Sequence, residues 1–298
     1  MKILIAGGTG LLGSHLCNSL LLKKYEIFVL TRNITKARQK LSSLVEIIDD
    51  LNNCDYKFDA VINLAGETLN QKWTSHSKKE FIDSRLRVTQ KLVDFMNKST
   101  HKPEIFISAS AIGYYGHDYN ASFSEESLQV SGEGFGHKLC KLWEQEALKI
   151  KSKKIRTCIT RIGVVLSPDG GALQQMLTPF KFGLGAILGN GRQIISWIHI
   201  EDFAKAIEFL LHNKNSSGTY NLTSPGPVLQ SQFASTLAKL MNRPLFLRLP
   251  SFLVEIIFGE MGKVFLLEGA RVIPEKLLKE GYSFRYPALN SALSDIIK

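Results

Sequence analysis

Cysteine is scarce in this sequence, with only four residues among 298. The four are scattered as Cys17, Cys54, Cys140 and Cys158. They form no Cys-x-x-Cys pair and have no zinc-ligand spacing to a histidine, which excludes a disulfide framework and a structural zinc site. We therefore expect no metal site.

Long hydrophobic runs are also lacking. The stretch 249–258 is interrupted by Glu255 and has about half of the ~20 apolar residues that span a bilayer. The apolar run at the N-terminus ends at Gly7, too early for a secretory signal, and predicts a strand. We expect a cytoplasmic protein with no membrane partner.

Acidic residues are outnumbered, since 37 lysines and arginines against 27 acids give a formal charge of +10. This excess favours a phosphorylated cofactor, a phosphorylated substrate or nucleic acid. Part of it lies in 149–154 (KIKSKK), which is typical of a solvated helix end. No signature of a common nucleic-acid module occurs, so we expect a small-molecule substrate and no nucleic-acid partner.

Short apolar runs alternate with helical patterns through the first half of the chain. The runs are Lys2–Ala6, Glu26–Leu30, Ala60–Leu64, Glu104–Ser108 and Arg156–Thr160. Buried strands that alternate with helices indicate right-handed crossovers and a parallel sheet covered on both faces. The sequence thus predicts an α/β fold with a Rossmann-type doubly wound parallel sheet.

The second half is less regular. A glycine-rich segment, 170–193, predicts irregular structure that covers a site. Asp202 is placed to cap the N-terminus of a following helix. We expect an NAD(P)-binding domain over 1–230 and a smaller, mainly helical C-terminal substrate or appendage region over 244–298.

The first strand leads directly into the glycine-rich turn AGGTGLLG and then a helical pattern. Three glycines there permit a tight turn, close approach of the backbone to a pyrophosphate, and close packing of helix on strand. The helix N-terminus presents free N–H groups to that pyrophosphate. We predict cofactor contacts at Gly7, Thr9, Gly10, Leu11, Leu12 and Gly13.

The residue type at the end of the second strand indicates which of the two nicotinamide cofactors a protein of this fold prefers. An acidic residue there would accept hydrogen bonds from a free ribose 2′-hydroxyl, but this chain has Thr31 and Arg32. A guanidinium suits a 2′-phosphate, so we predict NADP(H) rather than NAD(H). The alternative is that Arg32 is only a surface charge.

Three glycine- or serine-rich motifs follow predicted strands, namely GGTGLLG at 7–13, NLAG at 63–66 and SASAIGYYG at 108–116. They resemble motifs of the extended, atypical short-chain dehydrogenase/reductase superfamily. More narrowly, the chain is similar to the family of NAD(P)-dependent sugar-nucleotide epimerases with an extra C-terminal domain. That likeness rests on NLAGE (63–67), SRLRVT (84–89), RIGVVLSPDGGAL (161–173), GLGAILGNGRQIISWIHIED (183–202) and LLEGARVIPEKLLKEGYSFRYP (266–287).

The resemblance implies further cofactor contacts. They are Leu64, Ala65 and Gly66 after the third strand, Glu80 and Arg85 on the next helix, and Val165 after a later strand. Core packing is the alternative for Leu64 and Ala65. Glu80 and Arg85 are five residues apart, an awkward spacing for a pair on a helix surface, so two separate roles are favoured.

The chain departs from the superfamily at its catalytic dyad. Such enzymes usually carry Tyr-x-x-x-Lys, in which tyrosine exchanges a proton with the substrate. The corresponding segment 132–144 reads GEGFGHKLCKLWE, and Phe135 has no hydroxyl. No tyrosine occurs between Tyr119 and Tyr220, so ordinary superfamily catalysis is in doubt.

Three substitutes for the dyad stay open. Tyr114 or Tyr115 could act as the acid and base, with Ser110 or Ser108 as a hydrogen-bond partner.

The second substitute is Lys138 or Lys141, near the expected lysine, and the third is His199. The plainer alternatives are solvated helix charges for the lysines and a buried, backbone-bonded role for the histidine.

These observations favour an NADP(H)-dependent oxidoreductase, epimerase, dehydratase or reductase acting on a small hydroxyl- or carbonyl-bearing, sugar-nucleotide-like substrate. The alternative is a catalytically degenerate NADP(H)-sensing regulatory or interaction protein, which the missing dyad supports. The sequence is compatible with a homodimer.

Overall fold

The computed structural model describes residues 1–51, 57–127 and 134–297. Cys54 and the first two residues of the segment 132–144 lie outside the described residues. The strands are β1 Lys2–Ala6, β2 Glu26–Leu30, β3 Glu46–Ile48, β4 Ala60–Asn63, β5 Ile105–Ala111, β6 Asp118–Phe123, β7 Arg156–Ile162, β8 Val164–Leu166, β9 Ala186–Leu188, β10 Ile194–Ile195, β11 Trp197–His199, β12 Gly218–Leu222, β13 Val228–Leu229, β14 Leu247–Leu249 and β15 Ala270–Val272. The helices are α1 Leu11–Leu22, α2 Ile34–Lys40, α3 Ser75–Lys98, α4 Phe135–Ala147, α5 Gly171–Lys181, α6 Ile200–His212, α7 Gln230–Leu240, α8 Ser251–Gly262, α9 Glu275–Lys279 and α10 Leu289–Ile296.

The central sheet has seven parallel strands in the order β12-β7-β5-β4-β1-β2-β3. Successive side chains of β1 point to opposite faces. Ile3 and Ile5 pack in a core with α1 and α6, whereas Leu4 packs in a core with α3 and α4. The predicted doubly wound Rossmann-type sheet is confirmed, although β3 and β12 were not predicted.

The strand order reverses at β1, which lies between β2 and β4. In open α/β sheets, ligands bind in the crevice at such a reversal, outside the carboxyl ends of the strands. Because all seven strands are parallel, the segments after β1, β2, β4, β5 and β7 emerge at one edge of the sheet. The predicted site residues that end or directly follow these five strands therefore lie at this edge.

The expectation of irregular structure over 170–193 is wrong. Residues Gly171–Lys181 form helix α5, which contains Pro179, and Ala186–Leu188 form a strand that pairs with Leu247–Leu249. Leu173 and Leu177 are buried in a third core with α7 and α10. The burial of its regularly spaced leucines therefore stabilises this helix in spite of its glycines and proline.

Helix α6 does not begin with Asp202 as its cap. It begins at Ile200, and the side chain of His199 accepts the N–H of Glu201. The carboxylate of Asp202 is fully buried and accepts the backbone N–H groups of Arg285 and Tyr286 at 2.8 Å each. Asp202 thereby attaches the C-terminal region to the main domain.

The smaller C-terminal region is mainly helical, as predicted, with α8, α9 and α10. Within the described ranges, no helix combines the length and apolar character that crossing a membrane requires.

Candidate functional site

The glycine-rich turn after β1 is packed too closely for side chains. Gly7 has a φ of +82°, and a Cβ there would lie 2.6 Å from the carbonyl carbon of Leu64. A Cβ at Gly13 would overlap the carbonyl oxygen of Gly7. Gly10 precedes α1 and donates its N–H to Gly7 O at 3.0 Å. The turn thus brings the N-terminus of α1 against the ends of β1 and β4.

The segment after β4 forms the next wall of this crevice. Leu64 donates its N–H to Ala6 O at 2.8 Å, and Ala65 donates to the side chain of Asn63 at 3.2 Å. Leu64 and Ala65 are half-buried and Gly66 is exposed. The structure therefore places these three predicted residues beside the glycine-rich turn.

Arg85 lies directly beneath Gly66, because a Cβ at Gly66 would be 2.8 Å from Arg85 Cζ. The arginine is buried, donates to Phe81 O at 3.0 Å and stacks over Trp143 at 5.1 Å. Burial lowers the pKa of Arg85 to about 10. In the described part of the chain, no carboxylate forms an ion pair with it.

Glu80 does not pair with Arg85. Its carboxylate lies 3.6 Å from Arg87 at the exposed surface of α3. This arrangement agrees with separate roles for Glu80 and Arg85.

The end of β2 carries an exposed cation. Arg32 is exposed and has no salt bridge with the residues that the structure describes. The hydroxyl of Thr31 accepts the N–H of Asn33 at 3.3 Å. Lys40 donates to Thr9 O at 2.7 Å, which connects α2 to the glycine-rich turn. Arg32 is therefore free to contact an anion at this edge.

The N-terminus of α5 covers the first turn of α1. A Cβ at Gly171 would lie 3.0 Å from Leu11 Cδ2. Leu12 is partly buried against the first core, as is Val165, which lies in β8 opposite Ile198. The segment 170–193, which was expected to cover a site, thus covers the start of α1.

A buried ion pair lies at the end of β5. Glu144 of α4 accepts two hydrogen bonds from Arg161 of β7, at 2.9 and 2.8 Å. Ser110 donates its hydroxyl to Glu144 at 2.7 Å, whereas Ser108 Oγ lies 3.4 Å from the amide of Asn63. Both serines are buried. Ser110 is therefore part of a charged cluster.

The two tyrosines of SASAIGYYG have different environments. Tyr115 is 0% exposed, and its hydroxyl donates to Asn221 Oδ1 at 2.8 Å and contacts Ser124 O at 3.1 Å. Burial raises the pKa of Tyr115 in spite of nearby Arg161. A substrate cannot reach this hydroxyl in the structure.

Tyr114 is only half-buried, and its ring centroid lies 3.4 Å from Arg161 Cζ. Its hydroxyl has no hydrogen bond within 1–51, 57–127 and 134–297. The geometry therefore favours Tyr114 over Tyr115 as a proton-transfer residue.

The other substitutes for the dyad are less well placed. Lys138 and Lys141 are exposed on α4. His199 is 2% exposed, caps α6 and lies 4.0 Å from the ring of Tyr286. Burial lowers the pKa of His199. The exposed lysines agree with solvated helix charges, and the buried histidine agrees with a backbone-bonded structural role.

Phe135 begins α4 and belongs to an aromatic cluster. Its ring centroid lies 5.2 Å from Trp73, which in turn lies 5.6 Å from Phe265 of the C-terminal region. The cluster joins that region to the segments where α3 and α4 begin.

Arg161 and Glu144 were not predicted as site residues from the sequence. One signal was available, because Arg161 directly follows the predicted buried strand Arg156–Thr160. Buried charges require a partner, and sequence alone could not identify Glu144 as that partner.

Comparison with known proteins assigns the chain to a family. The model of the NAD dependent epimerase/dehydratase family matches residues 3–223. The chain belongs to this family. A domain of unknown function, DUF1731, matches residues 249–296. The resemblance seen in the motifs is thereby confirmed.

Relatives match along the whole chain. The epimerase family protein YfhF of Bacillus subtilis is 36% identical over 300 residues, covering 100% of this chain and 98% of the relative. The crystal structure of human epimerase family protein SDR39U1 (isoform 2) with NADPH has a TM-score of 0.91 and 32% identity, covering 99% of each chain. UDP-glucuronic acid 4-epimerase from Bacillus cereus in complex with NAD has a TM-score of 0.77 and 21% identity, covering 99% of this chain and 96% of that one, and shows the shared fold.

Proposed function

We propose that this protein is an NADP(H)-dependent oxidoreductase or epimerase that acts on a small hydroxyl- or carbonyl-bearing substrate. The observation that carries the proposal is the glycine-rich turn, where Gly7 abuts Leu64 and Gly13 abuts Gly7. This packing leaves the N–H groups at the start of α1 facing the crevice, where a pyrophosphate binds in such folds. The similar human protein, whose structure contains NADPH, supports the assignment.

Arg32 supplies the preference for NADPH over NADH. Its guanidinium is exposed at the end of β2 and can form charge-assisted bonds to a 2′-phosphate. Leu64, Ala65 and Gly66 bound the crevice on the other side, above Arg85. Thr31, Val165 and the residues of the glycine-rich turn complete the proposed cofactor site, and Glu80 lies at its periphery.

Bound NADPH would supply a hydride and bound NADP⁺ would accept one, so the protein must orient the substrate and move one proton. We assign the proton transfer to the hydroxyl of Tyr114. Arg161 stacks on the tyrosine ring and is itself held by Glu144, so the ring has a fixed orientation. Ser110 acts through Glu144 and is a positioning residue.

Titration of NADPH and NADH tests the cofactor assignment. Arg32→Ala should weaken NADPH binding by about tenfold or more and change NADH binding by less than about twofold, because only NADPH has the 2′-phosphate. Lys24→Ala, a change of another exposed cation at the far end of α1, is the matched control. Equal affinity of the unaltered protein for the two cofactors would contradict the assignment.

A second candidate function is an NADPH sensor without turnover. It is favoured by the sequence of α4, which has no tyrosine and begins with Phe135. Stereospecific deuterium exchange or NADPH consumption with a panel of carbonyl compounds distinguishes the two. Exchange detects an epimerase, which consumes no NADPH overall, and turnover of any compound excludes a pure sensor.

A further inference from the structure

Exposed apolar side chains are concentrated in one part of the chain. Among the described residues, eight large apolar side chains are at least 60% exposed. Two of them, Leu22 and Leu44, belong to other parts of the chain, at the end of α1 and after α2. The other six form a set that we call the α8 face: Phe182, Leu184, Phe246, Phe252, Ile256 and Ile257.

The three segments that carry the α8 face lie side by side. Strand β14 pairs in parallel with β9, with Leu247 opposite Ala186. Because neighbouring strands are about 4.8 Å apart, this register places Phe246 beside the segment 182–185, which carries the first two members of the face. Helix α8 begins two residues after β14 ends, so it continues from the same pair of strands.

Helix α8 presents an apolar stripe outward. Residues four apart share a helix face, which places Phe252 with Ile256 and Leu253 with Ile257. Val254, on a different face, is 0% exposed and packs inward. A surface helix of a single globular chain normally has charged or polar residues on its outer face. The outer face of α8 is therefore typical of a surface that another molecule covers.

The area of the α8 face is close to that of a protein interface. A fully exposed phenylalanine presents roughly 150–250 Å² and leucine or isoleucine somewhat less, so the six side chains together expose on the order of 700 Å². The largest apolar patch of a monomer is usually about 300–600 Å². A standard interface takes about 800 Å² from each partner. The polar residues at the border of the face account for the difference.

Charged side chains of both signs border the α8 face. Arg248 shares one side of β14 with Phe246, because side chains two apart along a strand point the same way. Glu255 lies on α8 next to Ile256, and both charged residues are exposed without an ion pair to any residue that the structure describes. In a twofold dimer each contact occurs twice with the two copies exchanged. One patch can therefore supply both partners of two ion pairs.

The composition of α8 does not match that of a helix on a lipid surface. Such helices carry lysine and arginine along their polar face, where they meet anionic lipids. Helix α8 has Glu255 and Glu260 and neither lysine nor arginine. The charges therefore favour a protein surface, and the α8 face carries its own complement.

We propose that the α8 face is the interface of a homodimer with twofold symmetry. The outer stripe of α8, Phe246 and residues 182–184 of one copy then cover the same residues of the other. The inference is independent of the proposed function, because it uses neither the cofactor site nor Tyr114.

Sedimentation equilibrium of the full chain tests the inference. At about 100 μM we expect twice the single-chain mass of 33.3 kDa, with a dissociation constant of about 10 μM or lower. Ile256→Glu should raise that constant by about a hundredfold or more, because the symmetric interface would bury two unpaired carboxylates. Phe182→Glu, in a separate segment of the face, should have the same effect. Leu22→Glu changes an exposed leucine outside the face and should leave the constant within about twofold.

The three replaced residues are exposed, so the variants should keep the Tm of the unaltered protein. A single-chain mass up to about 100 μM would overturn the inference, as would a dimer that either Ile256→Glu or Phe182→Glu leaves intact. Equal weakening by Leu22→Glu, or growth beyond two copies, would also contradict a closed interface at this face. Flotation of a monomeric protein with phosphatidylcholine and phosphatidylglycerol vesicles would assign the face to a membrane instead.

Discussion

Arg161 lies with its guanidinium carbon 3.4 Å from the ring centroid of Tyr114, while its N–H groups are bonded to Glu144. The cation is thus held from one side by a carboxylate and covers an aromatic ring on the other. This relationship connects the end of β7, helix α4 and the turn after β5. It also distinguishes Tyr114 from the buried Tyr115, because the hydroxyl of Tyr114 has no hydrogen bond among the described residues.

Tyr114→Phe should reduce turnover by about a hundredfold or more with NADPH affinity unchanged, because only the proton-transfer hydroxyl is removed. Tyr115→Phe is the matched control. It should lower the free energy of unfolding by about 1–3 kcal/mol, since the carbonyl groups of Asn221 and Ser124 lose a donor, with turnover retained. Steady-state kinetics and urea unfolding measure the two effects. Normal turnover in Tyr114→Phe would remove the assigned role.

Arg161→Met should lower the free energy of unfolding by about 3–5 kcal/mol, because it leaves the carboxylate of Glu144 buried without its cation. The double variant Arg161→Met/Glu144→Gln should recover a large part of that loss, since an amide costs less to bury than a charge. Urea unfolding of the two single variants and the double variant provides the measurement. Additive effects of the two changes would show that the ion pair contributes little coupling.

Gly13→Ala and Gly10→Ala should have different effects. A methyl group at Gly13 overlaps the carbonyl oxygen of Gly7, so we expect unfolding at lower temperature and weaker NADPH binding. At Gly10 the nearest atom would be 3.3 Å away, so Gly10→Ala should weaken NADPH binding by about tenfold with a small change in Tm. Calorimetry and fluorescence titration report both quantities. Unaltered NADPH binding in both variants would place the cofactor elsewhere.

Asp202→Ala should loosen the C-terminal region. The change leaves the backbone N–H groups of Arg285 and Tyr286 without an acceptor, and we expect a loss of about 2–4 kcal/mol in unfolding free energy. Limited proteolysis should cut the variant near those residues sooner than the unaltered protein. Asp94→Ala, at an exposed position on α3, is the control. Equal cleavage rates would show that other contacts hold the region.

Acidification should destabilise the protein partly through His199. Burial lowers its folded-state pKa, so the unfolded chain binds more protons at this site as the pH falls below about 6.5. The stability that the neutral imidazole contributes is therefore present above that pH and lost below it. His199→Asn retains a side chain that can cap α6. Its Tm should fall less steeply between about pH 7 and pH 5, and a parallel decline would assign the effect to other groups.

Sequence reasoning identified the fold because buried strands and glycine spacing are local signals. Leu4 lies in a short apolar run that predicts a buried strand, and Gly7 follows that run directly. The prediction of Asp202 as a helix cap was wrong, because a carboxylate near a helix start resembles a cap in the sequence. Its actual partners, Arg285 and Tyr286, are more than 80 residues away along the chain. The helix over 171–181 was missed because its glycines and Pro179 obscured the apolar spacing.

In the candidate site, too, the sequence shows local motifs and does not show the long-range contacts. Sequence placed Tyr114 and Tyr115 in one motif and could not distinguish them, since only tertiary packing buries one ring and stacks the other on Arg161. The prediction of Gly66 as a cofactor contact came from resemblance. Its close approach to the guanidinium of Arg85 depends on a contact between a loop and a helix, which the sequence alone does not reveal.

Trp73 gives the molecule an intrinsic optical reporter. Its indole contacts Phe135 of the family domain and Phe265 of the C-terminal region at once. Any rearrangement that separates those two phenylalanines must change the surroundings of the indole, and with them its emission wavelength. Ligand-induced movement can therefore be followed in the unlabelled protein by comparing its emission with that of Trp73→Phe.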